Sequence, residues 1–543
     1  MPVPNQHDDP RWRGPHPEPP AGRDRTPPRR RHGRGMITLP GRRPWRWPWL
    51  LLVALLAVAA LLAGGLAWVW SHTSISTVGD LAFENPLRIP PLAEPRFEEA
   101  RRRVFDLEFQ SGRTQILPGP PTGTWGLNGT YLSPTLRAAR GDEVQINVTN
   151  RLAEPTTLHW HGMHLPAIAD GGPHQMIEPG DTWSPTWTID QPATTLWFHP
   201  HLHGSTAEHV YRGVAGMFII DDPDAAALDL PDEYGVDDIP VIVQDRSFDG
   251  SNQLTQREPA FSNIGILGDE ILINGTHDPH VEVITELVRL RVLNASNARL
   301  YNLQFDDHRE FALIGTDGGV LAVPVSLTEL RLSPGERAEI VVGVAPGERT
   351  VLRSVKPDLG TSSPFGDRPN GGADSFDLLQ LRAADSLEPS APLPDELVAV
   401  DAPLEADSVK TRSFELGNDE IDGRQFDMGR IDHVVTVDTA EIWEITNDHT
   451  RPHSFHPHLI HFAVLDIDGR TPPPELSGWK DTIYVPPSQT VRVIARFAGH
   501  SDPDAPYMFH CHVLEHEDAG MMGQFVVIEP GDETPGRVEH ADG

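Results

Sequence analysis

"GDEVQINVTN" (141–150) sets apolar Val144, Ile146 and Val148 between polar neighbours and closes on Asn150. Apolar side chains at every second position line one face of an extended chain, so the stretch reads as a half-buried β-strand; a helix would repeat every three to four residues. The pattern returns in "TELVRLRVLN" (285–294) and "TAEIWEITN" (439–447), whose closing Asn294 and Asn447 follow after 144 and 153 residues. One such copy per β-sandwich of ordinary size accounts for the spacing. Between the copies lie "DDPDAAALDLPDEYG" (221–235) and "EPSAPLPDELVAVDAPLEAD" (388–407), rich in Pro, Asp and Ala, which read as linkers. A chain of 543 residues exceeds one hydrophobic core, and 47 Gly and 53 Pro favour many short strands joined by tight turns. The expected fold class is all-β. Residues 71–86 are expected as a stalk, 87–228, 229–395 and 396–533 as three sandwich domains, and 534–543 as an acidic tail.

Ahead of the sandwiches, "PWLLLVALLAVAALLAGGLAWVW" (48–70) carries no charge and is long enough, as a helix, to cross a hydrocarbon core of roughly 30 Å. Trp45, Trp47 and Trp49 at one end and Trp68 and Trp70 at the other suit the two membrane interfaces. A cleaved signal peptide and a buried core helix are the alternatives. Arg42-Arg43 and Arg29 to Arg31 raise export by a twin-arginine route, although the residues around them fit that pattern badly. Residues 1–47 hold 11 basic and 4 acidic side chains, a balance of +7, so the chain's net −34 leaves −41 for the rest. The basic tail belongs on the cytoplasmic side and is expected to be disordered. The remainder lies outside the cytoplasm as a single-pass membrane protein, released if the helix is cut. Its acidity argues against nucleic acid as a partner.

Four His-x-His pairs carry the chemistry: His159 and His161, His199 and His201, His456 and His458, His510 and His512. None lies in the middle domain. On a strand, residues i and i+2 share a face about 6 to 7 Å apart, so each pair offers two imidazoles to adjacent metal ions. A single pair is often a solvated accident; four, split between the first and last domains, point to a metal cluster. Cys511, the one cysteine of the chain, sits between His510 and His512 in "FHCHVLEHEDAGMM" (509–522) and must face the other way. With His453, His516 and Met521 nearby, it supplies the two imidazoles, thiolate and weak thioether of a trigonal blue-copper site. A buried cysteine acting as a small hydrophobe is the alternative.

In order, "HWHG", "HPHLHG", "HSFHPHLIH" and "HCHVLEHEDAGMM" resemble the four copper motifs of the multicopper oxidases, above all the bacterial laccase-like and copper-efflux branch. The likeness runs from about 87 to 530. It implies three cupredoxin-like Greek-key sandwiches and four copper ions. The resemblance places a type 1 copper on His453, Cys511, His516 and Met521, a type 2 copper on His159 and His456, and a type 3 pair on His161, His199, His201, His458, His510 and His512. His203, His164, His174, His209, His449 and His461 fall outside the motif and are expected beside the ligands or at the surface, with His203 and Met522 left as ambiguities. Asp170 in "ADGGP" and Glu517 match positions that supply protons near the trinuclear cluster, where reduction of dioxygen to water consumes four; a turn-shaping Asp170 and a solvated Glu517 are the alternatives.

The expected activity is therefore oxidation of a small-molecule or metal-ion reductant, one electron at a time, with electrons passing from Cys511 to His510 and His512 and dioxygen as acceptor. Phenols or aromatic amines reaching the edge of His453 or His516 directly are the first expectation, because the stretch from 356 to 377 and on to "IDGRQFDM" holds only Met428 and so no methionine-rich trap for cuprous ion. Cuprous or manganous ion is the alternative. A copper-free cell-envelope scaffold and a copper nitrite reductase are rivals of other classes; complete motifs argue against the first, and three domains with all four motifs in one chain against the second. A monomer is expected, since one chain holds a complete site.

Overall fold

The repeated strands each enter a sheet in the same way. Glu143–Asn150, Leu287–Asn294 and Thr439–Asn447 pair in parallel with the strands Arg102–Thr114, Asp238–Arg246 and Ser408–Leu416. Parallel neighbours cannot be joined by a hairpin. The chain therefore crosses between two sheets, and three sandwiches result, with sheets of six and four, six and seven, and four and five strands among the described residues. The structure, a computed structural model, describes residues 47–532 apart from 100, 257, 260–261 and 362–363. The basic tail expected over 1–47, but for its last residue, and the acidic tail over 534–543 lie outside the described residues.

Alternation fixes the cores. Val144, Ile146 and Val148 pack with Trp160 and Phe198; Val288, Leu290 and Val292 with Phe305; and Trp443 and Ile445 with Phe455 and Phe509. Each such side chain contributes about 1.5–3 kcal/mol on burial. The closing asparagines act as corner pieces. Asn150 Nδ2 donates to the carbonyls of Glu154 and Ile177 (2.9 and 2.8 Å), and its Oδ1 accepts from the Leu152 N–H (2.8 Å). Asn294 repeats this with Arg299, Leu332 and Ser296, and Asn447 with Arg451, Val485 and His449. In the first and last sandwiches the chain leaving this corner runs straight into a histidine-bearing strand, His159–His161 or His453–Pro457.

The segment expected as a stalk does not stand free. Thr77 N–H donates to the Ser375 carbonyl (3.0 Å), Gly79 N–H to Asp377 (2.8 Å), and Phe83 is buried. Asn85–Pro86 then pairs with Pro279–Thr285, and Leu87 N–H reaches the His280 carbonyl (2.7 Å). Without this strap the second sandwich would present an unpaired sheet edge; the strap's sparse apolar residues gave no periodic signal. Trp47–His72 is one α-helix, and Trp47–Gly65 is exposed, with mean hydropathy 2.3, long and apolar enough to cross a membrane.

Replacing Asn294 by Ala removes three hydrogen bonds in the buried middle sandwich and strands two carbonyls and an N–H. At about 1–3 kcal/mol for each stranded group, the urea midpoint of that domain should fall by the equivalent of about 3 kcal/mol. An unchanged midpoint would show that the corner is ornamental.

Candidate metal centre

Two antiparallel pairings assemble the site. Thr194–His199 runs against His159–His161 with His199 opposite His159, and Asp502–Cys511 runs against His453–Pro457 with His510 opposite His456 and Cys511 opposite Phe455. Directly opposed residues share a face. His456 and His510 therefore look one way, while Cys511 and His453, two residues before Phe455, look the other. The pairs His159/His161, His199/His201, His456/His458 and His510/His512 hold their ring centres 5.9, 6.0, 5.2 and 5.5 Å apart.

On the cysteine face, Sγ of Cys511 lies 3.4 Å from Nδ1 of His453 and 3.6 Å from Nδ1 of His516. Cys511 N–H donates to the Met521 carbonyl (3.1 Å), and Met521 N–H to the His516 carbonyl (2.9 Å), so the loop closes back on the thiol. Met521 joins the apolar core beside Cys511, whereas Met522 is paired with His510 and lines a small cavity with His433 and Asp432. Burial pushes the Cys511 thiol up to about 12 and drives His516 down to about 3 and His453 well below its ordinary value. A neutral thiol facing neutral imidazoles in an apolar core is a soft donor set awaiting a cation.

The other eight imidazoles meet between the first and last sandwiches, all buried. Their donor atoms form groups within 4.8 Å: His159 with His456 and His458; His161 with His199 and His512; His201 with His458 and His510. The rings of His161 and His456 stack at 3.7 Å, and those of His159 and His458 at 3.8 Å. Desolvation, with neighbouring rings adding to it, holds His161, His199, His456 and His458 well below 6.5, and His512 at about 3. His201 also falls to about 3, because burial outweighs the opposing charge of Glu517.

Hydrogen bonding tests whether metal fits. One ring nitrogen of each of five histidines is tied to an acceptor: His159 Nδ1 to the Asp170 carbonyl (2.9 Å), His161 Nε2 to Asp481 Oδ1 (3.1 Å), His199 Nδ1 to the Pro200 carbonyl (2.8 Å), His456 Nδ1 to the Asp481 carbonyl (2.7 Å) and His458 Nδ1 to Asp170 Oδ2 (2.7 Å). The other nitrogen of each is buried with no partner. One nitrogen oriented by a protein acceptor and the other bare is the arrangement of a metal-ligating histidine. The donor set fits copper or a similar nitrogen-seeking ion.

Asp170 thus orients two rings, leaving its Oδ1 without a hydrogen bond. Glu517 sits 3.1 Å from Nδ1 of His510 and 3.4 Å from Nδ1 of His201. Its burial opposes ionisation, but His201 and His510 outweigh that and bring its carboxyl well below the ordinary range. Asp481 and Thr482 join the site without a local signal: nothing in "GWKDT" (478–482) announces His161, 320 residues from Asp481, whose Nε2 also meets Thr482 Oγ1 at 3.0 Å.

Neighbouring histidines have other uses. His203 is exposed, against Phe426 at 5.2 Å. His164 contacts Asp190, His174 contacts Gln524, His209 contacts Glu154, and His449 lies by Asp448. His461 donates to the Gly162 carbonyl (2.9 Å), with Asp481 at 3.8 Å. The edges of His453 and His516, expected to receive substrate directly, are buried, and His516 Nε2 meets the Asn263 carbonyl of the middle sandwich at 3.3 Å. That covering strip comes from another domain, out of reach of local sequence patterns.

With this geometry in hand, family models described as multicopper oxidase match residues 108–225, 243–349 and 395–531. Cell division protein FtsP of Escherichia coli strain K12 is 36% identical over 451 residues, covering 82% of this chain and 93% of that protein. The laccase of Pediococcus acidilactici superposes with a TM-score of 0.75 at 36% identity, over 82% of this chain and 94% of that one. The laccase-like multi-copper oxidase CueO of Ochrobactrum sp. does so with a TM-score of 0.75 at 37% identity, over 82% and 100%.

A thiol at about 12 must lose its proton to bind metal, whereas an imidazole at about 3 is already free. Below pH 12 each metal taken up at Cys511 releases one proton, so affinity should rise about tenfold per pH unit from pH 5 to 8. Cobalt titrations read at the thiolate-to-metal absorption band, corrected for the competing chelator's own protons, measure the slope; a flat profile would contradict a buried neutral thiol.

Proposed function

The chain belongs to the multicopper oxidase family, and on that premise we propose that it is a working laccase-like oxidase with four copper ions, oxidising phenols or aromatic amines and reducing dioxygen to water. The bare ring nitrogens carry this reading. Each buried, unpaired polar atom costs about 1–3 kcal/mol. A copper-free scaffold would gain by losing them, yet His159, His161, His199, His456 and His458 all keep one.

His453, Cys511, His516 and Met521 would hold the type 1 ion, and His159 and His456 the type 2 ion. Of the type 3 pair, one ion would sit on His161, His199 and His512 and the other on His201, His458 and His510. Copper bound there supplies one-electron exchange at the first site and the reducing capacity for dioxygen at the second. The chain supplies the path: the backbone of 510–512 joins the thiol to two imidazoles of the cluster by covalent bonds. It also supplies proton carriers. Asp170 keeps an oxygen free beside His159 and His458, and Glu517 lies between His201 and His510.

Electrons would enter through the contact of His516 with the Asn263 carbonyl, because the rings of His453 and His516 are buried among the described residues. An entry of this kind does not select for cuprous ion, and only Met428 lies in the stretch where a thioether trap would be. The acidic exterior keeps oxidation of manganous or cuprous ion as the runner-up. The apolar helix anchors the chain with its N-terminus in the cytoplasm and the sandwiches outside, as a monomer. Similarity to the cell division protein FtsP supports a second reading, a role in cell division without oxidase activity, which an oxygen-uptake assay separates from the first.

Cys511→Ser should abolish the blue absorption and bring substrate-driven oxygen uptake to background while leaving the fold intact; uptake near that of the parent protein would refute the electron path. Met521→Leu should keep the colour and raise the type 1 potential, with Met522→Leu without effect. Steady-state kinetics should give the larger kcat/KM for a methoxyphenol than for stabilised cuprous ion; a much larger value for cuprous ion, without stimulation of phenol oxidation by copper, would overturn the laccase assignment.

A further inference from the structure

None of the ligand side chains comes from the middle sandwich, yet one of its arginines reaches the cluster. Arg337 is buried and grips Asp481 of the last sandwich with both arms, Nη1 to Oδ1 at 2.7 Å and Nη2 to Oδ2 at 2.6 Å. Its Nε donates to the Thr195 carbonyl of the first sandwich (3.0 Å), and Nη2 also to the Asp317 carbonyl (2.8 Å). One guanidinium thus ties all three domains together. Lys480 completes the cluster of charges, with Nζ at 2.9 Å from Asp317 and 2.7 Å from Glu336, so three carboxylates and two cations are buried as one group with a residual negative charge.

Asp481 passes that anchorage on to two rings. Its Oδ1 accepts from His161 Nε2 and its carbonyl from His456 Nδ1, which fixes the tautomers that leave His161 Nδ1 and His456 Nε2 bare. Close approach depends on Gly162, next to His161: at φ +83° a Cβ there would lie 2.3 Å from Asp481 Oδ2 and 2.9 Å from Arg337 Nη2. The glycine of "HWHG" is thus required by the ion pair as well as by its own turn.

We propose that Arg337 and Asp481 are a positioning pair through which the ligand-free middle domain orients His161 and His456. This rests on the copper reading above. Removing one partner of a buried ion pair leaves the other uncompensated, and loss of a hydrogen-bonded partner behind a metal-ligating histidine weakens metal binding about 10–100-fold. The effect must be confined to the cluster, because His453, Cys511, His516 and Met521 make no hydrogen bond to Arg337 or Asp481 among the described residues.

The test uses the full chain loaded with copper. Asp481→Asn keeps the shape and an acceptor but removes the charge, and Thr482→Val removes only the hydroxyl 3.0 Å from His161 Nε2. Copper per chain, type 1 absorption and the type 2 electron paramagnetic resonance signal are read in each. Four coppers and one full type 1 band are expected in the parent. Asp481→Asn should keep the type 1 band, lose cluster copper with affinity down about 10–100-fold, and alter the type 2 signal; Thr482→Val should alter that signal with less copper loss. Parental copper and type 2 signal in both variants would overturn the proposal, as would loss of the type 1 band in step with cluster copper. A parent that takes up no copper would sink the oxidase reading and this inference together, a result distinct from failure in the variants alone.

Discussion

The two-residue period of one strand governs this molecule. Because successive side chains leave a strand on opposite faces, "HCH" sends a thiol into the core of the last sandwich and two imidazoles into the histidine cluster between the first and last, with a single backbone between them. A slip of one residue would exchange the two sets and destroy both. The pairing of His510 with His456 and of Cys511 with Phe455 pins the register, and the loop returning through Met521 pins the thiol.

Burial then works in one direction. It holds His161, His199, His456 and His458 below their ordinary value and pushes the Cys511 thiol up, and it leaves ring nitrogens without partners. Each of these costs stability, and each is relieved by a metal cation. Backbone carbonyls and the buried carboxylates Asp170, Glu517 and Asp481 stand against the rings to orient them, and the cation that neutralises Asp481 comes from a domain with no ligand of its own. Three sandwiches are thus joined at the place where the site is built.

How far the sequence carried depended on the range of the interaction. The three repeated strands were legible because alternation and a closing Asn are local, and the Asn corners proved to be the same hydrogen-bonded piece three times over. Face assignments at His159, His199 and His510 followed from the same alternation. The resemblance already pointed to Met521 over Met522, and the structure sets Met521 in the core beside Cys511, Met522 on the strand opposite His510, and His203 at the surface. The strap at 74–87 and the ties of Asp481 to Arg337 and His161 depend on partners in other domains, 144 residues away or more, and no periodic pattern encodes those. Similarity to both a cell division protein and laccases leaves the ligands themselves as the feature on which function turns.

The most direct measurement is anomalous diffraction at the copper absorption edge from crystals of the copper-loaded chain. Four peaks are expected, one among Cys511, His453, His516 and Met521 and three within the shell of eight histidines. Density free of such peaks, or copper confined to surface histidines such as His203, would contradict an oxidase and leave a copper-free envelope protein in its place.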